Sequence, residues 1–213
     1  MKITIITVFY NNKKGLTRTL NSIINNLNLI EDTYRNIFNI LLIDSYSDDG
    51  SREFIYKVMR KNKLKFKYIN VPKNGVYYAM DKAIQNTYLD NTRVVFINSG
   101  DTIFSFNPIV KYLSNKNEFP ECISFEVGIF YPPLYKIIFY SANPSKIPAH
   151  QGFIYNPNLH KKYKLYENQV ENNYKKDRMD LDYIFMSKIL KNENNYILCK
   201  DLFSLTENTV FNS

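Results

Sequence analysis

Two Ile-rich runs, KITIITVFY (residues 2–10) and NIFNILLIDS (residues 36–45), constrain this chain more than any other feature of its sequence. Neither alternates apolar with polar residues, so neither suits a sheet with one wet face, and each reads as a strand buried on both sides. Between them, KKGLTRTLNSIINNL spaces Leu16, Leu20, Ile23, Ile24 and Leu27 as a helix does, with one apolar stripe to lay on a sheet. The order then repeats: a helix from about Ser51 to Lys61, a short strand KFKYINV, a helix YYAMDKAIQNTY and a strand RVVFIN. The expectation is an α/β fold, an open and mostly parallel central sheet flanked by helices. At 213 residues the chain suits one domain and is short for two independent cores.

An apolar fraction of 45% and an aromatic fraction of 15% exclude a disordered chain. The net charge of +8 favours anionic partners and leaves open nucleic acid, an acidic membrane surface and a phosphate-bearing small molecule. Lys and Arg are scattered and no nucleic-acid-binding pattern is present, so nucleic acid is not the expected partner. Cys122 and Cys199 lie far apart without metal-ligand spacing, which indicates neither a zinc site nor a disulfide framework and suits a reducing compartment. The opening run has β-branched residues and no small-residue cleavage site, as a first strand would, and no uncharged run is long enough to span a bilayer. A cytoplasmic protein is expected.

Open α/β sheets bind ligands outside the carboxyl ends of their strands. There the second strand runs into IDSYSDDGS and a later one into INSGD, which puts Asp44, Asp48, Asp49 and Asp101 on one rim. Asp48, Asp49 and Ser51 also read as an acidic helix start. Asp44 comes too early for that, and a carboxylate at the end of an apolar strand needs a partner: a base edge, a ribose hydroxyl or a cation. For Asp101 the competing reading is an Asx-type turn.

Four stretches in this order resemble the family 2 glycosyltransferases of the GT-A fold, and within them the small enzymes of bacterial capsule, O-antigen and colanic-acid-type polysaccharide assembly. ITIITVFYNNKKGLTRTLNSI is similar to the family's opening strand, loop and helix; LLIDSYSDDGS to its Ile-Asp-x-x-Ser-x-Asp-Gly-Thr signature; NGVYYAMDKAI, the most specific, to its Gly-Ile-Tyr-Asp-Ala-Met-Asn-Lys-Gly block; and FINSGD to Leu-Asn-Ser-Gly-Asp, this subgroup's version of the DxD motif. The resemblance implies a single GT-A domain over residues 1–213, with a nucleotide-sugar half at 1–101 and an acceptor half at 102–213. It implies an inverting, hexosyltransferase-type enzyme that moves a sugar from a nucleotide-diphosphate donor, UDP-sugars favoured, to a surface polysaccharide or a polyprenyl-diphosphate-linked acceptor.

The same resemblance assigns residues. Asp101 would hold Mn²⁺ or Mg²⁺ against the diphosphate, since such cations often use only one or two protein carboxylates beside phosphate oxygens and water. Asp44 would meet the nucleotide base, and Thr7 and Tyr10 would lie along the nucleoside. Ser47, Asn98 and Ser99 fall in the matching nucleotide-sugar motifs, and Tyr77, Met80, Asp81 and Lys82 would shape the donor pocket. Met80 and Ala83, at helical spacing, equally suit packing, and Lys82 suits solvent. Inversion also needs a general base for the acceptor hydroxyl. Family members carry it at a helix start of the form Asp-x-Asp-hydrophobic, which Asp180 and Asp182 match; Asp180 is preferred and a two-residue slip gives Asp182. His150-Gln151 resembles the family's His-Gln pair on the acceptor or leaving-group side. His160 matches no motif and reads as a surface residue.

Ser45 and Tyr46 stand where relatives have Gly or Asp, and Tyr78 where they have Asp, which bears on donor selectivity. The chain ends soon after LCKDLFSLTENTVFNS, where relatives often continue into a helical tail; that suits either a compact or a truncated enzyme. IFYPPLYKIIFY (residues 129–140) mixes aromatic residues around one Lys and suits peripheral contact with the inner face of the cytoplasmic membrane, or else a pair of core or dimer-interface strands. The rivals are a sugar-nucleotide pyrophosphorylase, whose Gly-rich phosphate loop FYNNKKGLTRT matches poorly, and a catalytically inactive GT-A relative that binds glycan or nucleotide.

Overall fold

The computed structural model describes residues 1–87, 91–116, 119–131, 136–140, 149–163, 181–193 and 196–207. The expected first half is present in the expected order: β1 (Lys2–Phe9), α1 (Lys13–Asn28), the short α2 (Asp32–Arg35), β2 (Phe38–Asp44), α3 (Ser51–Lys61), β3 (Lys65–Asn70), α4 (Val76–Gln85) and β4 (Thr92–Phe96). Then follow β5 (Thr102–Ile103), α5 (Asn107–Asn115), β6 (Cys122–Tyr131), β7 (Lys136–Tyr140), a 3₁₀ turn (His150–Gly152), β8 (Phe153–Tyr155), α6 (Asn158–Tyr163), α7 (Leu181–Asn192) and β9 (Tyr196–Glu207).

Among the described residues nine strands form one sheet in the order β3-β2-β1-β4-β8-β6-β9-β5, with β7 paired to β6. The β3-β2-β1-β4 half is parallel throughout, while β8 joins β4 and β6 antiparallel and β6 pairs β9 in parallel. Residues 129–131 and 136–140 contribute to an antiparallel pair, β6 with β7.

Because successive strand residues point to opposite faces, β1 and β2 feed two cores. Ile3, Ile5, Phe38, Ile40 and Leu42 pack with Leu16, Leu20, Ile23 and Leu27 of α1 and Ile55 and Val58 of α3. Ile6, Val8, Leu41 and Ile43 pack on the other face with Ala79, Met80, Ala83 and Ile84 of α4. Each such side chain contributes roughly 1.5–3 kcal/mol on burial, which is why the unbroken Ile-rich runs need helices on both sides. The edge strand β3 exposes Lys65 and Lys67, charges that discourage pairing with another chain. No described helix is long and apolar enough to cross a membrane.

His160 is not at the surface. It is 5% exposed on α6, its ring 4.2 Å from that of Phe185, and its Nε2 pairs with the Tyr155 hydroxyl at 2.7 Å. Its polar neighbours in sequence hid a position that α6 turns inward, and burial pushes its pKa down to about 3. A base depressed in the fold leaves the unfolded chain to take up the proton first, so its stability contribution is whole above pH 6.5 and is lost as pH falls toward 3. Urea unfolding should show the protein losing about 2 kcal/mol more than His160→Gln between pH 6.5 and pH 5, at ~1.36 kcal/mol per unit. Equal losses in the two proteins would refute a buried neutral His160.

Candidate functional site

Parallel pairing sets Phe9 beside Asp44, so the loops that leave β1 and β2 must run together. Ser47 joins them: its Oγ donates to Asp44 at 2.7 Å and accepts the Asn11 N–H at 2.9 Å. The Asn11 side chain donates to Asp48 at 2.7 Å and accepts the Asp48 N–H at 2.9 Å. Asp49 accepts the Lys13 N–H at the start of α1 and, at 2.6 Å, the Ser51 hydroxyl at the start of α3, supplying donors at two helix beginnings with an acceptor. Asp48 and Asp49 therefore build the rim. In these loops Asn11 and Tyr46 have φ of 44° and 60°. Asn tolerates that region, whereas for Tyr it is strained, and Tyr46 holds its ring 58% exposed.

Asp44 is fully buried, and its partners come from inside the chain. Ser47 gives two hydrogen bonds, from N–H at 2.8 Å and from the hydroxyl, and the Tyr68 hydroxyl donates at 2.6 Å. Burial and this bond to Asp44 push the Tyr68 phenol up to about 12, and Arg52 hydrogen-bonds the same oxygen. Sequence reasoning missed Tyr68 and Arg52. The signal lies in register: Leu42 pairs with Tyr68, which places the phenol on the face of β2 that carries Asp44.

Asn98-Ser99-Gly100-Asp101 is a closed turn. The Asp101 N–H donates to the Asn98 carbonyl at 2.9 Å, and the Asn98 N–H donates to Asp101 Oδ2 at 3.2 Å. Buried Thr19 of α1 fastens it, donating to the Asp101 carbonyl at 2.7 Å and accepting the Gly100 N–H at 2.9 Å. Gly100 has φ of 114°, which a side chain would strain. Ser99 donates to the Asn12 carbonyl at 3.2 Å. Asp101 is 7% exposed and also accepts from Gln151 at 3.3 Å. Burial holds its carboxyl above the usual range, against the opposing pull of His150 and of the Thr206 and Gln151 donors.

The third group brings the two halves of the chain together. His150 Nδ1 lies 2.7 Å from Asp182 Oδ2 on α7, and Tyr77 of α4 donates to Asp182 Oδ1 at 3.2 Å. The Tyr183 N–H donates to Oδ1 at 3.0 Å, and His150 Nε2 is 3.4 Å from the Asn98 amide nitrogen. Burial alone would keep the His150 imidazole neutral, but Asp182 and Asp101 raise its pKa above the ordinary value. Burial likewise would raise the Asp182 carboxyl, and His150, Tyr183 and Tyr77 together hold it below the usual range.

Of the remaining sequence candidates, Tyr10 reaches the rim, 40% exposed with the Lys73 ammonium 3.8 Å over its ring; Lys73 is a further residue that sequence reasoning missed. Thr7 is fully buried and donates to the Ile97 carbonyl at 2.8 Å, fastening β1 to the end of β4. Met80 and Ala83 lie in the core. Lys82 points to solvent and donates to Gln85 at 2.9 Å, and Asp81 accepts from the same Gln85. Asp180 lies outside the described residues.

Among the described residues no three His, Cys, Asp or Glu side chains gather as a metal cage. What the turn does offer is the Asp101 carboxylate and the buried Asn98 Oδ1, which has no hydrogen-bond partner among the described residues. Two hard oxygens on one turn fit a divalent cation whose other ligands are diphosphate oxygens and water.

A parallel α/β half-sheet whose carboxyl edge gathers carboxylates, an imidazole and a glycine turn has the architecture in which such sheets place ligands beyond the strand ends. The family model for glycosyl transferase family 2 matches residues 4–167, and the chain belongs to that family. The chain is similar in fold to Staphylococcus aureus TarS residues 1–349 in complex with UDP-GlcNAc, at 17% identity and a TM-score of 0.72 over 97% of this chain and 58% of that one. It is also similar to the mannosyltransferase PcManGT from Pyrobaculum calidifontis, in complex with GDP-Man and Mn²⁺, at 16% identity and a TM-score of 0.64 over 96% of this chain and 56% of that one. The chain spans about 60% of the length of such structures. A comparison with curated protein sequences finds no significant match.

Gly152 lets the His150-Gln151 turn approach β6: a Cβ there would lie 2.5 Å from the Phe125 carbonyl oxygen and 2.7 Å from Val127. Gly152→Ala should cost about 1–3 kcal/mol in denaturant unfolding, because backbone must move to admit the methyl. An unchanged midpoint would show that β6 yields freely.

Proposed function

We propose that the chain is an inverting glycosyltransferase acting on a nucleotide-diphosphate sugar, with UDP-sugars favoured. Residues 1–101 form the donor half and residues 102–213 the acceptor half. The observation that carries this reading is the convergence of the Asn98–Asp101 turn with His150, Gln151 and Asp182 at the carboxyl edge of the sheet. There the departing diphosphate would meet oxygen ligands and donors on one side and a carboxylate pair on the other.

Asp101, with Asn98 Oδ1 beside it, would hold Mn²⁺ or Mg²⁺, which supplies positive charge to the diphosphate as the donor bond breaks. The chain's own residues do the rest. The 11–12 and 46–49 loops, cross-linked by Asn11 and Ser47, give the nucleoside a rigid bed, with Tyr10 available for stacking on the rim. A carboxylate of the Asp180/Asp182 pair accepts the acceptor hydroxyl proton as that oxygen attacks the anomeric carbon from the face opposite the diphosphate. The acceptor is a bacterial surface polysaccharide or a lipid-linked oligosaccharide, met at the inner face of the cytoplasmic membrane, where a net charge of +8 favours anionic lipid.

The other reading, an inactive relative that binds glycan or nucleotide, draws on Asp44, whose carboxylate is already supplied with three internal donors. Donor hydrolysis separates the two, since a binder releases no nucleoside diphosphate.

A thermal-shift titration with UDP, GDP, CDP and dTDP, each with and without Mn²⁺, should show one nucleotide stabilising the protein only with metal. At a hundred times its Kd that gain is about 2.7 kcal/mol, and Asp101→Ala should abolish it. Absence of any shift in a cooperatively melting protein would remove the donor-site reading.

A further inference from the structure

Most of the net charge on this chain comes from one stretch. Between Glu53 and Asp81 there is no acidic residue, while Lys57, Arg60, Lys61, Lys63, Lys65 and Lys67 crowd together there and Lys73 follows. The rest of the chain is left close to neutral. All of these cations are exposed, and among the described residues none of them forms an ion pair. Like charges gathered this way repel one another and oppose folding unless something outside the chain offsets them.

The fold brings them to one side. α3 buries Ile55 and Val58 and turns Tyr56 with Arg60, and Lys57 with Lys61, outward at four-residue spacing. Residues 62–64 return the chain to β3, which among the described residues pairs only with β2, so its other edge is open. Phe66 and Tyr68 of that strand pack toward the core, and Lys65 and Lys67 alternate with them and stay exposed. Lys67 reaches Asn86 at the end of α4 at 3.0 Å, and Lys73, beyond β3, stands over the Tyr10 ring on the rim. The basic side therefore follows the edge of the sheet from the start of β3 to the carboxyl rim. Lys65 and Lys67 are enough to discourage strand pairing. The cations of α3 and of the turn after it add nothing to that task.

We propose that the outer face of α3 and the open edge of β3 dock on the surface of an anionic lipid bilayer, an inference that rests on the lipid-linked acceptor of the reading above. A cluster of Lys and Arg on a helix face and its surroundings is what an anionic leaflet attracts. Tyr56, 47% exposed among these cations, carries the ring and hydroxyl that suit the headgroup layer. One such ring is no stacking platform for successive bases, which favours lipid over single-stranded nucleic acid. With the bilayer along β3, the Asn98–Asp101 turn at the end of β4 stands about 15 Å in, at the spacing of neighbouring strands. That keeps the donor turn over the membrane that would carry the acceptor.

Sedimentation with vesicles, in the absence of nucleotide, tests this. The unaltered protein should pellet with vesicles of phosphatidylcholine and phosphatidylglycerol at low salt, stay in solution with phosphatidylcholine alone, and be released as salt screens the charges. A variant carrying Lys57→Gln, Arg60→Gln, Lys61→Gln and Lys63→Gln should lose about a hundredfold or more in partition, at roughly fivefold per cation. A matched variant carrying Lys116→Gln, Lys188→Gln, Lys191→Gln and Lys200→Gln, exposed lysines away from this edge, should stay within about fivefold of the unaltered protein. Equal losses in the two variants would show net charge at work and not this side, and would overturn the proposal. Vesicle binding unchanged in the first variant would do the same, passing the contact to another surface such as residues 129–140. Duplex DNA bound at physiological salt by a protein that ignores the anionic vesicles would assign the edge to nucleic acid instead. The first variant should melt cooperatively and respond to nucleotide as the unaltered protein does, which separates lost docking from lost folding. Vesicle binding without any nucleotide response would count against the donor-site reading alone, and nucleotide response without vesicle binding against the docking surface alone.

Discussion

Three carboxylates taken out of bulk water set the terms for the rest of this structure. An ionised side chain loses several kcal/mol of solvation on burial unless donors replace the water. Asp44 is fully buried and Asp101 nearly so, and Asp182 is mostly enclosed. Each is answered from a distance: Asp44 by Tyr68 of β3, Asp101 by Gln151 and Thr206, and Asp182 by His150 and Tyr77. The edge of the sheet is built to bring those donors in.

The scaffold that permits this is the parallel half-sheet. Strands ending in the same direction leave their loops side by side, and here the loops after β1 and β2 are bonded to one another. Asn11 with Asp48, Ser47 with Asp44, and Asp49 between the starts of α1 and α3 make one cross-braced rim. The rim carries strain at Tyr46, where the chain accepts a left-handed backbone for an exposed aromatic ring. Thr19, buried on α1, ties the Asn98–Asp101 turn to the same frame. An inward-facing hydroxyl on a packing helix thereby becomes part of the candidate site.

The second half of the chain contributes by insertion. β8 enters antiparallel beside β4, and the 3₁₀ turn before it delivers His150 and Gln151 to the donor turn. α7 presents Asp182 to His150, and Gly152 allows the close approach to β6. Chemistry of this site thus depends on pairs some fifty to a hundred residues apart, such as Gln151 with Asp101 and Tyr77 with Asp182.

Read alone, the sequence determined the fold class and the first four strands with their helices, because unbroken Ile-rich runs and a helical stripe of Leu and Ile have only one economical burial. It also located the chemistry-bearing motifs, since strand ends in a parallel sheet collect at one edge. It misjudged His160, a buried residue among Lys neighbours, and it left Met80 open between the donor pocket and packing, where the structure shows it in the core. It foresaw an external partner for Asp44, to which the structure adds three internal donors. Only the tertiary structure decided these points. Whether a carboxylate is satisfied depends on register between strands, as with Tyr68, and on contacts across the chain, as with His150 and Asp182, and neither leaves a local pattern that spacing can reveal.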